Sequence, residues 1–190
     1  MKALVLDGMP ADASPKHAQL LQESLEAHDY EVTHVALHKL NVAYCQGCFE
    51  CWTASPGVCK INDGANDVTQ DIVVSDLLVY LTPVTFGGYS YHLKKMIDRM
   101  ACSLLLPFFQ HIQGKTHHVT RYQKLPDLLG VGVLPEADVH EEALFSQLVS
   151  ANARNLHATH HAATTLNLNL SDATRQARLQ WALESLEDAA

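Results

Sequence analysis

Four cysteines fall within one short stretch of this chain, Cys45, Cys48, Cys51 and Cys59, in the run CQGCFECWTASPGVC. The spacing is C-x2-C-x2-C-x7-C, in a chain with only 5 cysteines. Thiolates at successive three-residue steps can hold three corners of an iron–sulfur cube, and a fourth slightly further on can close it. The chemistry implied is electron transfer. Three readings fit the run. A [4Fe–4S] cluster suits the first three thiols, and Pro56-Gly57 supplies a turn that could fold Cys59 back, although no proline follows Cys59 as it does in the bacterial ferredoxin run. Zinc is the poorer fit, because structural zinc sites usually draw on two separated pairs. In the third reading the loop is vestigial: its thiols pack or pair reversibly, and Phe49 and Trp52 fill its interior. Cys102, with apolar neighbours in a helical stretch, reads as a core thiol.

Two further segments could bind a ligand. Asp7–Ser14 leads into a helix whose first amides and dipole favour a phosphate; Ser14 could donate its hydroxyl there and Lys16 a charge. Thr82–Gly88, TPVTFGG, has Pro83 to set the chain's direction, Gly87 and Gly88 for close approach to a flat ligand, and Phe86 to pack on a ring. Taken alone, it also reads as an ordinary turn. The chain has 12 histidines. His117 and His118 are adjacent on a predicted strand and so face opposite ways. His157, His160 and His161 sit where a helix ends, which suits dipole pairing or solvation better than metal ligation. Asp98-Arg99 reads as a structural or subunit-contact pair, and Arg121-Tyr122 is placed by position at the ligand end of a strand.

The elements that must carry these segments alternate. Strands are expected at Ala3–Leu6, Glu31–Leu37, Asp76–Leu81, Lys115–Tyr122 and Leu128–Leu134. Helices are expected at Lys16–Ala27 (Ser14 as N-cap, Pro15 first inside), Val68–Val74, Ser90–Leu105, Val139–His157 and Ala173–Glu187. The run LLVYL is apolar on both faces, as in a parallel strand covered on both sides. Alternation of this kind implies a doubly wound α/β sheet with right-handed crossovers. Five strands at this length suit a flavodoxin-like three-layer sandwich with a five-stranded parallel sheet in the order 2-1-3-4-5, and residues 1–190 read as a single domain. Ligands then bind beyond the strand ends where the order reverses, between strands one and three. The two loops and the cysteine run converge on that edge.

Composition narrows the partners. The chain has 190 residues, of which 47% are hydrophobic and 18% charged, as expected of a folded protein. Its net charge of −8 argues against nucleic acid or an anionic membrane as partner. No apolar stretch approaches the ~20 residues of a membrane span. The start, MKALVLDGMP, is too short in apolar residues for a signal peptide, so a cytoplasmic location is expected, where clustered cysteines read as metal, cluster or redox sites.

The segment Pro83–Arg99, PVTFGGYSYHLKKMIDR, resembles the P-x-Y/W-x-G…LK…DR segment of NAD(P)H-dependent FMN reductases. Cys45–Cys59 with Asp63 resembles the cysteine-rich loop of the iron–sulfur flavoprotein branch, and LDGMP is similar to the GSPR-type phosphate loop of the same group. The resemblance implies a flavodoxin-like fold binding FMN, with NAD(P)H as electron donor and a quinone, free flavin or redox protein as the small acceptor. It places Met9, Pro10, Ser14 and Lys16 at the phosphate. Thr82, Pro83, Val84, Thr85, Phe86, Gly87 and Gly88 come to the ring, and Cys45, Cys48, Cys51 and Cys59 stay candidates for a [4Fe–4S] cluster, with the vestigial loop as the other reading. It implies no catalytic side chain, and a homodimer or homotetramer. The chain departs from the pattern at Met9 and Ala11, where a serine and a basic residue are usual, and at Ser14-Pro15, where Pro15 offers no N–H. A rival reading follows: a flavodoxin-like binding or thiol-redox module that has lost FMN.

Overall fold

The apolar run after Met1 becomes the strand around which the sheet is built. The computed structural model describes residues 1–112 and 114–187, with only the backbone at Ser14 and Glu187. In chain order the elements are β1 (Lys2–Asp7), α1 (Ser14–Ala27), β2 (Glu31–Ala36), α2 (Glu50–Thr53), α3 (Gly64–Val73), β3 (Leu77–Pro83), α4 (Tyr91–Leu104), β4 (Leu105–Ile112), β5 (Lys115–Thr120), β6 (Asp127–Leu134), α5 (Val139–Leu156), β7 (His161–Asn167) and α6 (Asp172–Glu187). Five strands form a parallel sheet in the order β2-β1-β3-β6-β7. Counted within the sheet, that is the expected 2-1-3-4-5, so the flavodoxin-like class holds.

Alternation along the central strands divides the core in two. Leu4, Leu6, Leu78 and Tyr80 face one way, onto Ile72, Met96 and Phe145 of α3, α4 and α5. Val5, Val79, Leu129 and Val131 face the other way, onto Leu21 and Leu25 of α1 and Leu179 and Leu183 of α6. Both layers are closed, which is why β3 is buried along LLVYLT. Gly130 lets α5 settle on β6: a Cβ there would lie 2.3 Å from a methyl of Val149.

Two expectations about the elements are corrected. Lys115–Tyr122 is not a strand of the sheet. Its KTHHVT portion pairs antiparallel with β4 in a separate hairpin, inserted in the crossover from β3 to β6. A segment with that many polar residues cannot fill a strand buried on both faces, whereas at the surface it can. The fifth place in the sheet goes to β7, HAATTLN, whose alanines and threonines give a weak apolar signal. At α1, Ala13 and not Ser14 occupies the cap position, and the helix already starts at Ser14.

Candidate functional site

A cavity of about 560 Å³ opens at the carboxyl ends of β1, β3 and β6. Met9, Pro10, Ala13 and His17 wall one side; Pro83, Val84, Thr85 and Phe86 another; and Val133–Glu136 with Asp138, Glu141 and Leu168 the rest. It lies where the strand order reverses, and its size is that of ordinary small-ligand sites.

The loop after β3 is held from both ends. The Val84 amide donates to Val133 O at 2.9 Å. The Ser90 amide donates to the buried Thr82 hydroxyl at 2.9 Å, and the Ser90 Oγ in turn caps α4 by accepting from Leu93 N. Between them Thr85 and Gly88 exchange backbone hydrogen bonds of 3.3 and 3.0 Å. Phe86 and Gly87 sit at the tip with φ of +52° and +69°. Positive φ at both central residues is the pattern of a type I′ turn. Glycine adopts it freely; a phenylalanine there is strained, which is the kind of outlier that marks ligand sites. The Phe86 ring is 91% exposed at the cavity mouth.

The loop after β1 is organised by Asp7. Its buried carboxylate accepts the Met9 amide at 2.8 Å and pairs with His34 Nε2 at 3.0 Å. The Ala13 amide is taken by Pro10 O at 3.0 Å. These amides are therefore engaged within the protein. Lys16 does not line the cavity; its Nζ lies 3.3 Å from Asp172 on α6. The Ser14 side chain lies outside the described residues. Of the eleven residues expected at a ligand, Met9, Pro10, Pro83, Val84, Thr85 and Phe86 line the cavity. Thr82 is buried behind it. Gly87 rests against Leu144 of α5, where a Cβ would come within 2.5 Å. Sequence reasoning missed His17 and the β6–α5 segment. LPEAD after a buried strand was the available signal for the latter. The apolar walls fit a flat ring system. His17 from the start of α1 and the carboxylates Glu136, Asp138 and Glu141 from the segment after β6 supply the cavity's ionisable side chains.

The cysteine loop has a fixed base. Arg99, buried on α4, donates to both carboxylate oxygens of Asp63 at 2.7 and 3.0 Å. It also donates to Ala43 O and Ile61 O, each at 3.0 Å, on either side of the thiols. Asp63 further accepts from Ala43 N and caps α3 through Ala65 N. Burial pushes the Asp63 carboxyl up, but the hydrogen bonds from Arg99 and the two amides outweigh it and hold it below the usual carboxylate range. Above this base, Cys45 and Cys48 are exposed while Cys51 and Cys59 are half-buried. No three histidine, cysteine or acidic side chains among the described residues converge on a metal position. Cys102 is half-buried beside Cys51, and burial together with that neighbour pushes its pKa up to about 12. Phe49 stacks on Trp52 at 5.1 Å, and Trp52 meets His118 at 5.2 Å, tying the loop to the hairpin.

The remaining candidates separate. His117 turns to Asn155 and His118 to Leu106 O, and the two share no hydrogen-bond partner. His157 contacts His118 O, His160 pairs with Asp127, and His161 opens β7, so the three do not cluster. Arg121, expected at the ligand end of the sheet, instead donates to Ser103 O and packs beside Gly57 at the hairpin's base.

Comparison with known proteins agrees with this geometry. The family described as NADPH-dependent FMN reductase matches residues 1–167. A protein of Archaeoglobus fulgidus named iron-sulfur flavoprotein is 30% identical over 103 residues, covering 53% of this chain and 46% of that protein. The chain thus matches under half of that relative's length. Among solved structures, an NAD(P)H:quinone oxidoreductase from Methanothermobacter marburgensis superposes with a TM-score of 0.64 at 13% identity, covering 99% of this chain and 96% of the other. A flavodoxin from Streptococcus pneumonia superposes at 0.56 and 11% identity over 100% of both chains. At these identities the two structures establish the shared fold.

Proposed function

The chain belongs to the NADPH-dependent FMN reductase family, and on that footing we propose that FMN occupies the cavity at the strand-order reversal and passes electrons from NAD(P)H to a small acceptor. Membership makes it an oxidoreductase of the NAD(P)H and flavin type; the site and the acceptor are our reading. The observation that carries the reading is the cavity itself, walled by the three loops that follow β1, β3 and β6. When bound, the flavin supplies the hydride and electron chemistry.

The chain's own residues bind, orient and enclose. Pro83, Val84 and Val133 give apolar walls for a ring, and the bonds of Thr82 and Val84 hold the β3–α4 loop in place before any ligand arrives. Val84, Thr85 and Gly88 spend their amides inside the protein, which leaves those of Phe86 and Gly87, at the tip, as candidates to meet negative charge on the ring. No side chain is assigned as acid or base. A quinone is the acceptor to try first, because the M. marburgensis protein of the same fold carries that name; free flavin and redox proteins follow.

The cysteines form a separate part of the proposal. Their spacing and the likeness to the A. fulgidus protein support a [4Fe–4S] cluster on Cys45, Cys48, Cys51 and Cys59. The described loop would have to close further to hold it, and no electron route is drawn through it. The test is anaerobic purification with iron and sulfide assay, followed by FMN titration and NADPH oxidation with a naphthoquinone. FMN uptake and quinone-dependent NADPH oxidation are expected. A chain that ignores FMN would overturn the reading and leave a binding or thiol-redox module.

A further inference from the structure

We propose that His17 is the residue that recognises the flavin's phosphate, and that it makes FMN bind more tightly as the pH falls from 8 to 6. The proposal rests on the reading that FMN occupies the cavity, and it names what this chain uses where the family's usual donors are missing.

Among the described residues lining the cavity, His17 is the one side chain able to carry a positive charge. It is only 4% exposed, yet its Nδ1 is buried with no hydrogen-bond partner. A buried polar atom in that condition is rare and calls for an explanation. The ring also sits in the first turn of α1, a helix of 14 residues, where free amides and the helix dipole already favour an anion. The alternatives nearby are taken. The Met9 amide is committed to Asp7 and the Ala13 amide to Pro10 O, Pro15 has no N–H, and Lys16 is turned to Asp172.

The surroundings set the sign of the pH effect. His17 faces Lys16 on its own helix, Asp7 from β1, and Arg175 and Asp172 from α6. Glu136, Asp138 and Glu141 also line the cavity. Burial, then Arg175 and Lys16, lower the pKa of the ring from its ordinary value, which favours its neutral form before a ligand binds. A phosphate dianion beside it reverses that balance, and the ring takes up a proton as the ligand binds. Binding linked to proton uptake strengthens as pH falls. The window closes near pH ~6, where a phosphate monoester begins to lose its second charge.

The experiment titrates FMN and riboflavin into the purified chain at pH 6, 7 and 8, read by quenching of flavin fluorescence. Riboflavin has the same ring and no phosphate. FMN affinity should be about tenfold higher at pH 6 than at pH 8, with riboflavin changing less than about twofold. His17→Gln should flatten the FMN profile and weaken FMN about tenfold at pH 6, leaving riboflavin unchanged. Wild-type FMN and riboflavin profiles of equal slope would overturn the proposal without any variant, as would an H17Q protein that keeps the FMN slope. In both cases bound flavin preserves the reading of the cavity. If neither flavin binds at any pH, the proposal and that reading fall together.

Discussion

One buried ion pair decides whether the cysteine loop has a base. The side chains of Arg99 and Asp63 are 1% and 7% exposed, and the pair bonds both ends of the loop. Removing one partner of such a pair strands the other's charge, at a cost of about 3–5 kcal/mol. Arg99→Met should therefore lower the urea midpoint strongly and change the fluorescence of Trp52, which sits inside the loop. Replacing both residues by apolar ones of similar volume should recover much of the loss. The pH dependence has a definite sign. The Asp63 carboxyl is held below its ordinary value, so its contribution is complete above the unfolded carboxylate pKa of ~3.9 and is lost as pH falls below that, through the folded pKa. Acid titration should release the loop in that range in the wild type, and R99M should lack the step. At this scale the sequence is legible for residue type and only partly for direction. Asp98-Arg99 reads as a structural or subunit-contact pair, but the two separate: Asp98 takes Lys94 on the helix surface, and nothing local shows that Arg99 reaches back across 36 positions to Asp63. Lys16 stands at the right place in the chain, but Asp172, met only through folding, draws it away.

Among the elements, those buried on both faces were the most legible. LLVYL and DLLGVGVL are strands because their apolar runs have to be covered twice. The strand at the far edge was not legible, since HAATTLN needs only partial cover and mixes alanine with threonine. KTHHVT does form a strand, as expected, but the Pro-containing run LLPFFQHI beside it hid its hairpin partner. Close packing between elements makes a sharper prediction. Gly130 on β6 leaves no room for a methyl group against Val149 on α5. Gly130→Ala should cost about 1–3 kcal/mol through overpacking, seen as a fall in melting temperature of roughly 2–4 °C per kcal/mol. An unchanged melting temperature would mean that α5 can slide on the sheet. The β3–α4 turn shows the same dependence on context. TFGG announces a turn, but the left-handed Phe86 becomes visible only once the Thr85–Gly88 hydrogen bonds close the hairpin around it.

At the scale of the whole molecule, the surface carries large, mostly exposed apolar side chains. Phe86 is 91% exposed, and Phe108 and Phe109 on the hairpin are 63% and 67% exposed. Phe109 packs on His118 at 4.6 Å, and Phe108, its neighbour on the strand, faces the other way, so each is a single exposed residue that needs no partner to explain it. The homodimer or homotetramer that the family resemblance implies should appear in light scattering as two or four times the 21.0 kDa chain mass. A monomer at micromolar concentration would overturn it. No helix among the described residues is long and apolar enough to cross a membrane. The bonds from Arg99 to Ala43 and Ile61 also bear on how this molecule can vary. They set the span of the cysteine loop independently of what lies within it, and lengthening a loop whose ends are already fixed adds only about 0.6 kcal/mol per doubling. The segment from Tyr44 to Lys60 is in that sense a removable insert. Exchanging it for a segment of different chemistry should leave the sheet in place and release the hairpin, which the loop holds through Trp52 on Leu105 O and His118.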